Sequence, residues 1–271
     1  MPVPAGAGRP VWQHRSTRAR LAGWFGWLMF VALFVLCWQV MTKDTIWSFV
    51  LDAPQQAADI GSRMVPPRWS YLDRLWWPLW DTLNIATLGT LLGTVIAVPV
   101  AFLAAGNTTP SRLALRPLAL LVIASSRSIN SLIWALLLVT IIGPGVLAGI
   151  VAIGFRSIGF VGKLLYEAIE EIDAGAVEAI EATGASRWQV IDYAIVPQIL
   201  PAFAGIAVFR WDINVREATV LGLVGAGGIG LQLQASLNVL AWPQVTMIFL
   251  LILATVVLSE LISAKVRHAI I

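Results

Sequence analysis

The sequence predicts an all-α protein that crosses a membrane six times, and three observations carry that prediction. Hydrophobic residues make up 58% of the 271 and charged residues only 12%, against roughly 25% charged in a soluble domain. Mean hydropathy is +0.82. The apolar residues also collect in runs close to the ~20 that a helix needs to span a bilayer, separated by breakers such as Gly143-Pro144-Gly145. The formal charge of +3 does not indicate nucleic acid as a partner, because the basic residues stand singly in loops rather than on one face.

Residues 1–20 are rich in Gly, Pro and Arg, with Arg9, Arg15, Arg18 and Arg20, and are expected to form a loosely ordered cytoplasmic segment. Residues 21–41 form the first transmembrane helix; the run is too long for a signal-peptide core and no small-x-small cleavage site follows, so it is expected to stay as an anchor. Residues 42–79 mix polar and aromatic positions, and Trp69, Trp76 and Trp77, followed by Trp80, suit the headgroup level. An extracytoplasmic interfacial segment is expected there. Residues 80–265 form a transmembrane core with spans at 80–104, 117–142, 146–165, 200–221 and 242–262. A glycine-rich loop is expected to run through Gly230, and residues 266–271 form a cytoplasmic C-terminus. The positive-inside rule orients the chain. Arg112, Arg116, Lys163, Arg187, Lys265 and Arg267 join the N-terminal arginines inside, so both termini face the cytoplasm.

One long charged stretch, 166–199, interrupts the second half. Leu165, Ile169, Ile172, Ala176 and Ile180 recur at spacings of three and four, which predicts a helix with one buried side and its glutamates elsewhere. Gly184 ends it, and Ser186-Arg187-Trp188-Gln189 reads as a capping box that starts a second short helix. Pro197 and Pro201 are expected to frame the turn into the fifth span. The product is an acidic, bent helical pair between hydrophobic spans.

Glu178-Ala179-Ile180, Gly184 and then Ala194-Ile195-Val196-Pro197 resemble the signature loop of ABC importer permeases, E-A-A, three residues, G, nine residues, I-x-L-P. Ile180, Ala194 and Val196 depart from that pattern, so the resemblance rests on Glu178, Ala179, Gly184, Pro197 and the two-helix shape. Ser126-Arg127-Ser128-Ile129, the run from Phe209-Arg210-Trp211-Asp212 to Arg216, and TVLGLVGAGGIG at 219–230 are similar to the phosphonate importer permeases of the PhnE type. The likeness covers 66–267, with Asn130 standing where that family usually has proline.

The resemblance implies a type I ABC importer (MetI-like) permease fold in a bacterial cytoplasmic membrane, assembled as a homodimer. It implies two ATPase subunits on the cytoplasmic side, which bind the ATP and Mg, so that this chain carries no cofactor, and an extracytoplasmic substrate-binding protein. Glu178, Ala179, Glu181, Gly184, Ala185, Ser186 and Pro197 would then couple the permease to the ATPase. Glu178 and Glu181 have a second reading as the solvated side of an amphipathic helix. The implied cargo is phosphonate or a related oxyanion such as phosphate. Permeases for methionine or quaternary amines, which also carry a G-A-G-G sequence, and a stand-alone secondary carrier are the competing readings.

The remaining motifs are weighed on their chemistry. Gly225-Ala226-Gly227-Gly228-Ile229-Gly230 spells G-x-G-x-x-G, but no acid follows until Glu260 and the flanks are spans, which excludes a dinucleotide site. Gly225, Gly227, Gly228 and Gly230 are read as close backbone packing or an outer gate. No G-x-x-x-x-G-K-[ST] is present, and neither His14, His268 nor the single Cys37 belongs to a metal-spaced or catalytic cluster. The chain is therefore not expected to be an enzyme.

Charges inside a membrane are functional candidates. Asp212 and Arg216 stand four apart, with Arg210 and Glu217 on nearly the opposite face, so mutual neutralisation competes with a pathway role for Arg210 and Arg216. Arg127 has no acid near it in sequence and sits with Ser126 and Ser128, a combination able to hold an anion in the pathway or gate. Arg156 is expected to snorkel, unpaired.

Overall fold

The computed structural model describes residues 2–4, 10–12 and 17–270, in two units that divide between Asp59 and Ile60. In the first unit Pro2–Pro4 (β1) pairs antiparallel with Pro10–Trp12 (β2), Val3 opposite Val11, where loose order was expected. Thr17–Thr42 (α1) then runs for 26 residues. Among its described side chains, 18–42, none is buried, and Trp24, Phe25, Trp27 and Phe30 are all exposed. A helix apolar on all sides is built to be solvated by lipid. The unit boundary falls in Trp47–Met64 (α2). At 100° per residue Trp47, Val50, Leu51 and Pro54 share one side of α2 and Asp52, Gln56, Asp59 and Arg63 the other, the pattern of a helix lying in an interface.

The second unit is all helix. Leu72–Ala104 (α3) starts eight residues earlier than the expected second span, so Trp76, Trp77 and Trp80 ride on α3 itself, all exposed. The run expected as one third span at 117–142 is two helices instead, Leu115–Ser128 (α4) and Ser131–Ile142 (α5), bent by 88°. The cause is local. Ile129 and Asn130 are extended, and Asn130 Oδ1 accepts from the Leu132 amide at 3.1 Å, so an N-cap stands in the middle of an apolar run. Val146–Glu170 (α6) follows, five residues longer than expected. Among the described residues five helices are long and apolar enough to cross a bilayer, or six spans if the bent pair counts as one.

Small residues let α6 sit against α3, α4, α5 and α9 (Val196–Leu221) together. A Cβ on Gly93 of α3 would lie 2.5 Å from Ser157 Cβ and 2.7 Å from the Gly154 carbonyl oxygen. A Cβ on Gly159 of α6 would lie 2.6 Å from the Ile123 carbonyl oxygen of α4. Backbones this close gain dispersion contacts that lipid tails cannot supply. Around the seam Ile85, Ile153, Val215 and Leu221 form one buried cluster, and Leu165, Ile169, Ile195 and Ile199 another toward the α6–α9 connection.

The last third departs from expectation twice. Residues after the glycine-rich turn form a helix, Ile229–Asn238 (α10), whose first turn includes Gly230, so the loop ends at Gly228. Trp242–Ile270 (α11) extends past the expected end at 262. Ile229, Leu233, Val245 and Ile248 pack α10 and α11 onto Leu75 and Leu79 of α3.

Candidate functional site

The acidic connection between α6 and α9 forms as a bent pair, with its first arm shorter than the periodicity suggested. Leu165 and Ile169 are buried but belong to α6. The helix stops at Glu170, where the carboxylate accepts from the Gly106 amide at 2.7 Å and from Arg116 at 3.0 Å. Asp173 then caps a new helix, Ala174–Glu181 (α7), by accepting from the Gly175 amide at 2.9 Å. Ile172 and Val177, not Ala176, pack against the apolar cluster behind; Ala176 is exposed. Glu178, Ala179 and Glu181 are exposed on α7.

Gly184 makes the bend. Its φ is +81°, its amide donates to the Glu181 carbonyl at 3.0 Å, and no atom lies within 4 Å of where a Cβ would stand. The requirement for glycine is therefore backbone conformation alone. Ser186 opens Arg187–Val190 (α8), with the Gln189 side chain accepting from the Ser186 amide at 2.8 Å as the capping pattern predicts. Ala185 is half-buried and Ser186 exposed.

The expected turn at Pro197 and Pro201 does not form. A π-helical stretch, Ile191–Ile195, joins α8 to α9 without a break, so helix runs through Arg187–Val224. Pro197 follows that stretch directly, as the second residue of α9, and Pro201 lies within α9. A proline removes an N–H from a continuous helix and crowds the preceding turn, and the wider π-helical turn just before Pro197 gives its ring room. Trp188 and Tyr193, 80% and 68% exposed on this arm, were not singled out by sequence. Tyr193 borders a hollow of about 320 Å³ lined by Ile180, Gly184 and Gln189 among others, and Trp188 borders a separate one of about 590 Å³ lined by Pro99, Phe102 and Ile191 among others, so the elbow offers a surface open to a partner.

The membrane-level charges come together on α6 and α9. Arg210 is 1% exposed, donates through Nε to Ser157 Oγ at 3.0 Å and lies 5.0 Å over the Phe160 ring. Its Nη2 is 3.6 Å from Glu217 Oε2, and Glu217 Oε1 accepts from Arg156 Nη1 at 2.7 Å. Arg156 is thus paired, contrary to the snorkelling expectation, and the same Nη1 reaches Ser131 Oγ at 3.3 Å at the start of α5. Asn214 completes the cluster by donating to Thr90 Oγ1 at 2.7 Å and Ser157 Oγ at 3.0 Å. On the other side of α9 Arg216 pairs with Asp212, which also accepts from Ser259 Oγ at 2.7 Å. Asp212–Arg216 is the i,i+4 pairing that helical spacing favours, and Arg210 and Glu217, seven apart, share one side of α9 two turns apart.

The serines flanking Arg127 are engaged elsewhere. Ser126 Oγ donates to the Phe155 carbonyl and accepts from the Gly159 amide at 2.8 Å, tying α4 to α6, and Ser128 Oγ donates to the Ser125 carbonyl at 2.9 Å. Arg127 itself is exposed and has no hydrogen-bond or ion-pair partner among the described residues. Its stem lies against Gly159, one turn along α6 from Arg156.

The glycine-rich turn holds backbones together. Gly225, Gly227 and Gly228 all have positive φ. A Cβ at Gly228 would lie 2.6 Å from Thr82 Oγ1, the oxygen that accepts from the Ile229 amide at 2.8 Å, and one at Gly230 would lie 2.2 Å from the Thr219 carbonyl oxygen.

Residues 97–268 match the family described as binding-protein-dependent transport system inner membrane component. The chain is 38% identical over 240 residues to the phosphite transport system permease protein PtxC of Stutzerimonas stutzeri, covering 89% of this chain and 86% of that one. It is also 38% identical over 237 residues to the phosphate-import permease protein PhnE of Mycolicibacterium smegmatis, covering 88% of this chain but 44% of that longer one. Among solved structures, the inward-facing MetNI methionine ABC transporter shares the fold with a TM-score of 0.65 at 22% identity, over 75% of this chain and 99% of that chain.

Proposed function

Because the chain belongs to the binding-protein-dependent transport system inner membrane components, we propose that it is the permease of an ATP-driven importer for phosphonate or a related small oxyanion such as phosphite or phosphate. The observation that carries the cargo class is the local excess of positive charge where α4, α6 and α9 meet: Arg156 and Arg210 share the single carboxylate of Glu217, and Arg127, one turn away along α6, has no partner among the described residues. An uncompensated cation is costly in hydrocarbon, and a passing anion relieves that cost. Relatives whose names give phosphite and phosphate as cargo support the same reading.

In this reading the elbow of α7, Gly184 and α8 docks in an ATPase on the cytoplasmic side, with both termini of the chain on that side. Glu178, Glu181, Ala185, Ser186 and the exposed Trp188 supply the contact. The second arm runs unbroken into α9, so a rigid displacement at Trp188 reaches Arg210, twenty-two residues or about 33 Å along the helix. Two permease chains, two ATPase subunits holding ATP and Mg, and an extracytoplasmic binding protein make the working assembly. Arg127 and Arg216, both exposed, meet the anion. Gly225, Gly227, Gly228 and Gly230 close the opposite end.

The test is ATP-dependent uptake by the chain reconstituted with its cognate ATPase and binding protein. Import of methylphosphonate, phosphite or phosphate is expected, and no ATP hydrolysis by the chain alone. Import of methionine or a quaternary amine with no oxyanion uptake would sink the cargo assignment. ATP hydrolysis by the purified chain would sink the subunit assignment.

A further inference from the structure

Glu217 is shared by two guanidinium groups, and the two are bound differently. Arg210 is sealed in, with Nε on Ser157 and its plane over Phe160. Arg156 is held by one nitrogen only: Nη1 meets Glu217 at 2.7 Å and Ser131 at 3.3 Å. Among the described residues its Nε and Nη2 meet no protein acceptor, and they are not among the enclosed unsatisfied atoms, the side chain being 30% exposed. That Nε–Nη2 edge is the geometry that grips two oxygens of a tetrahedral oxyanion at once. The cluster of Arg156, Arg210 and Glu217 carries one positive charge in excess, and the enclosed Arg210 Nη2 lacks a hydrogen-bond acceptor. Arg127, without a partner among the described residues, crosses α6 one turn away.

We propose that Arg156 is a specificity-determining residue of the permease, presenting its Nε–Nη2 edge to the oxyanion during passage, with Glu217 and Ser131 as positioning residues that fix its other side. The inference rests on the oxyanion reading given above. Glu217 gains a definite role from it, since a carboxylate clamped to Nη1 orients the fork but leaves the cluster positive, so the site attracts an anion and repels a cation. The 88° break between α4 and α5 contributes by setting Ser131, the first residue of α5, within reach of Arg156.

The experiment reconstitutes the whole complex in proteoliposomes and follows uptake of radiolabelled phosphite and methylphosphonate, with assembly scored by co-purification of the ATPase. Arg156→Lys keeps the charge and can still meet Glu217 but loses the fork. Uptake at low substrate is expected to fall roughly tenfold or more with assembly unchanged, the loss of a charge-assisted hydrogen bond. If Arg156 only braces α6 against α9, the lysine ion pair keeps assembly and uptake together near the wild-type level, and that result overturns the inference. Ser131→Ala removes one partner of Nη1 without touching the fork or the Glu217 pair and is expected to lower uptake less than Arg156→Lys does, with assembly unchanged. A loss of uptake larger than that of Arg156→Lys in an assembled Ser131→Ala complex overturns the inference too. A wild-type complex that imports no oxyanion refutes the cargo reading instead, so the two failures are told apart.

Discussion

Arg156 and Glu217, sixty-one residues apart in the chain, meet at 2.7 Å between α6 and α9, and the same carboxylate lies 3.6 Å from the fully enclosed Arg210. One acid therefore stabilises two cations in a region where neither could stand alone. The arrangement ties the helix that packs against four others to the helix that continues into the elbow.

Removing that acid exposes the dependence. Glu217→Gln keeps the shape of the side chain and leaves Arg210, 1% exposed, beside a neutral amide. Breaking a buried pair from one side costs about 3–5 kcal/mol, so the variant is expected to unfold in detergent at a clearly lower temperature and to accumulate poorly in the membrane. Glu217→Asp keeps the charge with a shorter reach and is expected to lose less. Equal melting temperatures for Glu217→Gln and the wild type would show that the cluster contributes nothing to stability.

The α3–α6 seam gives a second prediction, with its own internal control. A Cβ at Gly93 would stand 2.5 Å from Ser157 Cβ and meet backbone at the Gly154 oxygen, so the helices must part to admit it. Gly93→Val is expected to cost about 1–3 kcal/mol through overpacking, and also to disturb Ser157, which accepts from both Arg210 and Asn214. Gly205 in α9 has nothing within 4 Å of its Cβ position. Gly205→Ala is expected to be neutral or to stabilise by about 0.5–1 kcal/mol through helix propensity. Thermal unfolding of the two variants side by side is the measurement.

The sequence was most informative where local chemistry decides structure and least where a distant residue does. Apolar runs located the five long helices among the described residues but read the bent α4–α5 pair as one span, and Gly184 and the Ser186–Gln189 pattern located the bend, because a positive φ and a cap are set by a few neighbouring residues. The pairs Asp212–Arg216 and Arg210–Glu217 were legible from helical spacing. Arg156 was not, since no spacing rule reaches an acid sixty-one positions on. Asn130 stood out only as a departure from a family pattern and its cap was not read, because hydropathy averages over a window and one cap inside an apolar run barely moves it, yet that cap accompanies an 88° bend. Pro197 misled in the opposite direction: it reads as a turn, but a π-helical stretch before it absorbs the ring and keeps the helix continuous.

That continuity sharpens what Gly184 should do. Since open space surrounds its Cβ position, side-chain size is not the constraint; φ of +81° is. Gly184→Val must leave the left-handed region or bear about 1–2 kcal/mol of strain, and is expected to reorient α7 relative to α8 while α9 and the charge cluster remain intact. ATPase co-purification and uptake should both fall, with no drop in the melting temperature of the permease core. Gly184→Asn, which tolerates positive φ, is expected to retain most of the coupling. Full uptake by Gly184→Val would remove the bend from the coupling pathway.

Arg127 offers the cleanest separation of function from stability, because it has no partner to lose among the described residues. Its neighbour Ser126 bonds the Phe155 carbonyl and the Gly159 amide of α6, so α4 is held to α6 without the guanidinium, while Ser128 bonds Ser125 within α4. Arg127→Ala is therefore expected to leave assembly and melting temperature within about 0.5 kcal/mol of wild type, as for a surface change away from special features, while oxyanion uptake drops. Arg127→Lys separates two ways of acting on the anion. If Arg127 contributes only a positive potential, lysine restores uptake and raising the ionic strength weakens both proteins alike. If it binds the oxyanion through its fork, lysine stays impaired at every salt concentration. Uptake of methylphosphonate by Arg127→Ala at the wild-type rate would place the residue outside the pathway altogether.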